Sequence, residues 1–233
     1  MQLFYHIEEI VQMWTPEAVF LRLTIAVIIG VVIGLDRELK NRGAGIKTHA
    51  LVCLGAAIIM VVSEYIFHTF PTANADMNRL SAQVVSGIGF LGVGTIIVTG
   101  KNVVRGLTTA AGLWTCACAG LSIGIGYLWL ALLALFFAIF IYTVLNLLEN
   151  KIQRFSRYFT LYLELESATN LHAIFAKLRK ENMRYHQLEI ADSSWQKGTV
   201  WVTLSVELDN YKQRPMLIEF LQQAEGVQYY EGI

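Results

Sequence analysis

The sequence predicts an α-helical membrane domain followed by a small α+β domain of ferredoxin-like plan. Three observations carry that prediction. The 233 residues are 55% hydrophobic and only 15% charged, against about 25% charge in a typical soluble domain. The charge is unevenly placed. Residues 1–150 hold 8 of the 18 Lys+Arg and 8 of the 18 Asp+Glu, so the last 83 residues hold 10 of each. Beyond Arg157, long apolar runs give way to short alternating ones. This composition excludes a disordered chain, a coiled coil, a collagen and a disulfide-knit scaffold. Net charge is zero in each part, which argues against a nucleic-acid partner.

A membrane-spanning helix needs about 20 mostly apolar residues. Five stretches fit, at about 17–35, 48–67, 81–99, 107–124 and 127–148. The third and fourth are rich in Gly, Ala, Ser and Thr. The fourth and fifth are joined by a very short turn and form a helical hairpin. Loop charge orients the set. Arg37, Lys40, Arg42 and Lys47 follow the first stretch, Lys101 and Arg105 the third, and Lys151, Arg154 and Arg157 the fifth. The opposite loops carry only Arg79. The expected protein is multi-pass, with its N-terminus outside and its C-terminal domain cytoplasmic. There is no Lys or Arg before Arg22, so a cleavable signal peptide lacks its basic region.

The expected domains are 1–150 in the membrane, a basic linker at 151–157, and 158–233. In the last, residues 159–166 alternate as a strand and 170–181 read as an amphipathic helix with Leu171, Ile174, Phe175 and Leu178 inward. Strands follow at 184–190 and 199–208, with a turn at 193–198. A second helix at 212–224 and a strand at 226–230 complete a βαββαβ order.

Polar residues inside apolar stretches need a reason. Arg22 lies about five residues into the first stretch, where charge is costly. It reaches the outer interface by snorkelling, or it pairs with Glu64 of the second. Asp76, Arg79, Gln83, Ser86 and Gly87 share one helix face by spacing. Gln83 and Ser86 are expected to bond a neighbouring helix or line a wet vestibule, not to face lipid.

Gly87, Gly89 and Gly92 spell G-x-G-x-x-G by letter, and Gly94 follows two residues later. A dinucleotide site needs a strand before the glycines, and here they lie inside a membrane stretch. Their expected use is close helix packing. The same holds for Gly30 and Gly34, and for a face of Thr108, Gly112, Cys116 and Ala119. Cys53, Cys116 and Cys118 lack metal or redox spacing and read as small buried residues. The loop at 36–49 mixes acids, bases and a Gly-x-Gly. It reads as a structured hairpin packed against 101–109, with Thr48 capping the second helix. No Walker lysine, H-E-x-x-H or Ser-His-Asp spacing is present. The expectation is a non-enzyme with no cofactor, no metal site and no catalytic residue.

Four segments resemble the MgtC/SapB family of bacterial inner-membrane proteins. They are Gly34-Leu-Asp-Arg-Glu38, Gly45-Ile-Lys-Thr-His-Ala-Leu-Val-Cys-Leu-Gly55, Arg79 to Gly94, and Val104-Arg-Gly-Leu-Thr-Thr-Ala-Ala111 with Trp114. Asp36 and Lys47 depart from the family's usual Glu and Arg while keeping the charge. The resemblance singles out Asp36, Arg37, Glu38, Thr48, Gln83, Ser86, Gly87, Arg105, Thr108 and Thr109. It implies a role in magnesium homeostasis and growth at low Mg²⁺, and in virulence. It also implies regulatory contacts with other membrane proteins, including the F-type ATP synthase. The C-terminal strand order is similar to the ACT-type domain of longer members, although Ser167-Ala-Thr-Asn170 lacks the glycine of ligand-binding ones. The expected protein is a regulator working through helix contacts in the lipid bilayer, as a homo-oligomer or with partners. The alternative is a transporter or channel for Mg²⁺ or another small solute.

Overall fold

The computed structural model describes residues 2–70, 77–98, 104–192, 199–210 and 213–232. The chain divides into two compact units, Met1–Asn146 and Leu147–Ile233.

The first unit opens with a helix the sequence reading missed, α1 (Gln2–Gln12). Val11 on this helix is fully buried in the bundle core, with Ile7 packed beside it. Next comes α2 (Pro16–Leu39), started by Pro16 and by the Thr15 hydroxyl, which accepts from the Ala18 N–H at 3.2 Å. The third helix is α3 (Ile46–Thr69). It packs against α2, α5 and α4.

The fourth helix, α4 (Met77–Gly94), is 18 residues long, or about 27 Å at 1.5 Å per residue. It ends earlier than the expected third span. Its apolar tail forms a strand instead: β1 (Ile97–Val98) pairs antiparallel with β2 (Val104–Arg105). The β-branched run explains the correction, because hydropathy does not separate a short apolar strand from a helix end. Gly106 follows at φ 99°, a backbone that glycine adopts freely.

α5 (Leu107–Gly124) has the expected bounds. A turn at Gly126, φ 86°, leads into α6 (Leu128–Phe140) and completes the hairpin. A π turn at Ile141–Leu145 then joins α6 to α7 (Asn146–Phe155). The basic linker expected at 151–157 is therefore helical as far as Phe155. Leu148, Ile152 and Phe155 recur at helical spacing and continue the pattern. Among the described residues, four stretches are long and apolar enough to cross a membrane: Pro16–Leu39, Ile46–Thr69, Leu107–Gly124 and Leu128–Gln153.

The second unit carries β3 (Tyr158–Leu165), a 3₁₀ turn at Ala168–Asn170, α8 (Leu171–Lys180), β4 (Arg184–Asp192), β5 (Val200–Glu207), α9 (Gln213–Gln223) and β6 (Val227–Gly232). The turn expected at 193–198 lies outside the described residues. The sheet order is β4-β5-β3-β6, and every pairing is antiparallel. Phe159, Leu161, Leu163 and Leu165 alternate into the core with Val200, Val202, Leu204 and Val206. Leu171, Ile174 and Leu178 of α8 and Leu217 and Leu221 of α9 cover that face. The opposite face carries Tyr162, Trp201 and Tyr229 in edge-on contact.

Candidate functional site

The tightest polar site is built around Arg22, which is 0% exposed. Its Nε donates to the Val11 carbonyl at 2.6 Å. Nη2 donates to the Met13 carbonyl at 3.0 Å, and Nη1 to the Gly124 carbonyl at 3.0 Å. Nη1 also pairs with Glu64. One guanidinium therefore ties the end of α1, the end of α5 and the last turns of α3 to α2. The three carbonyls lie at or just past helix ends, where the backbone lacks helical donors. Of the two sequence readings of Arg22, pairing with Glu64 is the one found. His68 lies one turn beyond Glu64, 3.9 Å from it, and stacks on Trp14.

A second cluster sits where α2 ends. Asp36 accepts from Arg37 Nε at 2.9 Å, and Lys40 Nζ is 2.7 Å from it. The Arg37 guanidinium is buried and lies 4.0 Å over the Tyr142 ring. Lys40 reaches the Tyr142 carbonyl in the π turn at 3.4 Å. His49 is fully buried. Its Nδ1 donates to the Gly45 carbonyl at 2.9 Å, while Nε2 is buried without a hydrogen-bond partner among the described residues. Gly112 makes room here, since a Cβ on it would collide with the Tyr142 hydroxyl and lie 3.4 Å from His49 Nε2. Sequence reasoning missed His49, Lys40 and Tyr142. For His49 and Tyr142 the available signal was a lone polar ring within an apolar stretch.

Thr48 does not cap α3. The helix starts at Ile46, and the Glu38 carboxylate accepts from the Ile46 N–H at 3.2 Å in its place. Thr48 and Glu38 are exposed, as are Arg105 and Thr108, whereas Thr109 is buried. The loop after α2 turns through Asn41 at φ 51°. The packing expected between that loop and 101–109 involves 101–103, which lie outside the described residues.

The glycines divide into two sets. A Cβ on Gly30 would come 2.5 Å from Ala50 Cα, and one on Gly34 would come 2.6 Å from Ile46 Cα. The α2 and α3 backbones touch there, as expected. Gly120 and Gly124 of α5 do the same against Cys53 and Ala57 of α3. They extend the every-fourth-residue series Gly112, Cys116 and were missed.

On α4, Gly87, Gly89 and Gly94 have nothing within 4 Å, and Gly92 makes only ordinary contact with Ala110. The packing expected of them is not made within this chain. Gln83 and Ser86 share that outcome. Both are exposed, and neither has a hydrogen-bond partner among the described residues. Arg79 is exposed too, and Asp76 lies outside the described residues. Between α3 and α4 runs an apolar groove of about 710 Å³, lined by Leu51, Gly55, Ile59, Val84, Gly87 and Leu91 among others.

Among the described residues the arrangement brings together no nucleophile and base. Among the described residues no group of three His, Cys, Asp or Glu side chains is placed to hold a metal ion.

A family model described as the MgtC family matches residues 23–151. Protein SapB of Bacillus subtilis (strain 168) is 32% identical over 180 residues, 75% of this chain and 78% of SapB. Protein MgtC of Salmonella typhimurium (strain 14028s / SGSC 2262) is 44% identical over 106 residues, 46% of this chain and 43% of that protein. The Escherichia coli (strain K12) protein named "Putative magnesium transporter YhiD" is 43% identical over 109 residues, 46% of this chain and 50% of that protein. The chain thus spans about half the length of the latter two relatives. No solved structure matches it. The matched residues hold the second cluster, Glu64, His68 and Gly124 of the first, and the whole of α4; the chain belongs to the MgtC family.

Proposed function

We propose that this membrane protein is a non-enzymatic regulator in magnesium homeostasis, acting by docking α4 against other membrane helices. The carrying observation is the open side of α4, where a Cβ on Gly87, Gly89 or Gly94 would meet nothing within 4 Å among the described residues. In lipid, helices associate through close backbone approach and side-chain hydrogen bonds. That face offers glycines, and beside them the unpaired Gln83 and Ser86. Phe90 is 84% exposed on the same helix.

In this reading α4 is a fifth span, which gathers the basic loops on the cytoplasmic side of the bacterial inner membrane. The C-terminal unit is then a cytoplasmic ACT-type domain. The docked helices belong to a second copy or to a membrane partner such as the F-type ATP synthase. The magnesium link rests on family membership and on the name of the YhiD relative. The test is a photo-crosslinking residue at Phe90 in native membranes. Adducts with a second copy or another membrane protein support the proposal. Recovery of the lone chain only, with controls at Leu133 equally silent, rejects it.

A second reading, transport of Mg²⁺ or another small solute, draws on the exposed Gln83 and Ser86. Flux into liposomes that is lost in Gln83→Leu would select it. No flux across a panel of cations would remove it.

A further inference from the structure

A small cavity of about 210 Å³ lies in the C-terminal unit. Gln153 of α7, Ser156, Tyr158 and Phe159 at the start of β3, Arg214 and Gly232 line it. Arg214 stands in the first turn of α9. Its guanidinium lies 4.1 Å over the Phe159 ring. Stacking of this kind fixes the guanidinium plane and leaves its N–H edge free to bond.

Among the described residues that edge has no partner. Arg214 Nε is buried without a hydrogen bond. No carboxylate among the described residues pairs with this charge. Burial pulls its pKa down from the ordinary value. The nearest acid in sequence to the lining, Glu231, sits opposite Tyr162 in the sheet register and acts on the Tyr162 phenol on the other face. The cavity lining itself contains no Asp or Glu. A partly buried cation without a counter-charge is costly, and an oxyanion from outside would offset that cost.

We propose that this cavity is a binding site for a phosphate group. The lining offers more donors than a two-oxygen carboxylate uses: the Arg214 fork, the Gln153 amide and the Tyr158 hydroxyl, while the Ser156 hydroxyl already donates to the Tyr158 carbonyl at 3.2 Å. Gly232 keeps the site open, because a Cβ there would come 2.6 Å from the Phe159 ring that holds the guanidinium. Two sources share this chemistry. Gln153 ends a stretch long enough to cross a membrane, so a phospholipid headgroup is one. Soluble phosphate is the other.

The full chain in dodecyl maltoside, a detergent without phosphate, is titrated with inorganic phosphate by calorimetry. Retention of phosphatidylglycerol is counted in parallel by native mass spectrometry. Saturable phosphate binding without lipid retention assigns the soluble source, and lipid retention assigns the headgroup. In either case Arg214→Met weakens binding about tenfold or more. Arg214→Lys, which keeps the charge but not the fork, weakens it less. Gly232→Val fills the cavity with the charge intact and weakens it as well, which guards against a fold defect in any one variant. Binding of neither probe, or equal binding by wild type and Arg214→Met, overturns the proposal.

Discussion

The glycines of α2 and α5 and those of α4 occur in one membrane unit, in similar small-residue runs, with opposite surroundings. On α2 and α5, a Cβ would strike the α3 backbone at Gly30, Gly34, Gly120 and Gly124. On α4, three of four glycines look into open space. The first set has its packing partner inside the chain. The second has the same chemistry with no internal partner. A glycine-rich helix thus shows capacity for close approach, and the fold decides whether that capacity is already used.

The comparison breaks most visibly at the centre of the packed side. Arg22→Leu removes one ion pair and three bonds to carbonyls, leaving the half-buried Glu64 and the buried Val11 and Gly124 carbonyls without their donor, and the part-buried Met13 carbonyl as well. Loss of one partner of a buried pair costs about 3–5 kcal/mol. We expect a matching fall in unfolding free energy in detergent, and an unchanged value would refute the clamp. Gly30→Ala comes next. It forces α2 and α3 apart, with an expected loss of about 1–3 kcal/mol.

A reference outside the glycine-packed bundle comes from the C-terminal unit, whose core is a leucine- and valine-rich sheet. Burial there pushes the Tyr162 phenol up to about 12, helped by Glu164 and Glu231. The folded state holds this proton while an unfolded chain releases it near pH 10. The contribution is therefore complete below about pH 10 and lost as pH rises toward about 12, on the order of 2 kcal/mol. Alkaline denaturation of Tyr162→Phe should lack that slope. The smallest effect is on the open side. Gly87→Ala should leave monomer stability within about 1 kcal/mol, or raise it, because Ala favours helix. It should still weaken the Phe90 crosslink. A destabilised monomer would show that the α4 face is covered after all.

Sequence legibility follows the same division. The leucine-rich spans were readable from length and hydropathy. The Gly30 and Gly34 contact was readable from spacing, because its partner is the next helix in the chain. The pairing of Arg22 with Glu64 was one of two readings left open. The Val11, Met13 and Gly124 carbonyls were not readable at all, since which helix ends converge is a tertiary matter. The open face of α4 was hidden for a related reason. Spacing tells which residues share a face, while coverage depends on where the other helices go. The end of α4 was misjudged because Thr95-Ile-Ile-Val98 is as apolar as a helix and as β-branched as a strand.

The π turn at Ile141–Leu145 has a consequence for phase. A regular α-helix turns each residue by about 100°, and a wider turn shifts the azimuth of everything after it. Deleting one residue from this segment should restore regular winding and rotate either the Tyr142 ring off Arg37 or the whole of α7 about its axis. In the second case Gln153 would leave its place beside Arg214. A single codon in this turn thus changes the azimuth of side chains that it does not encode.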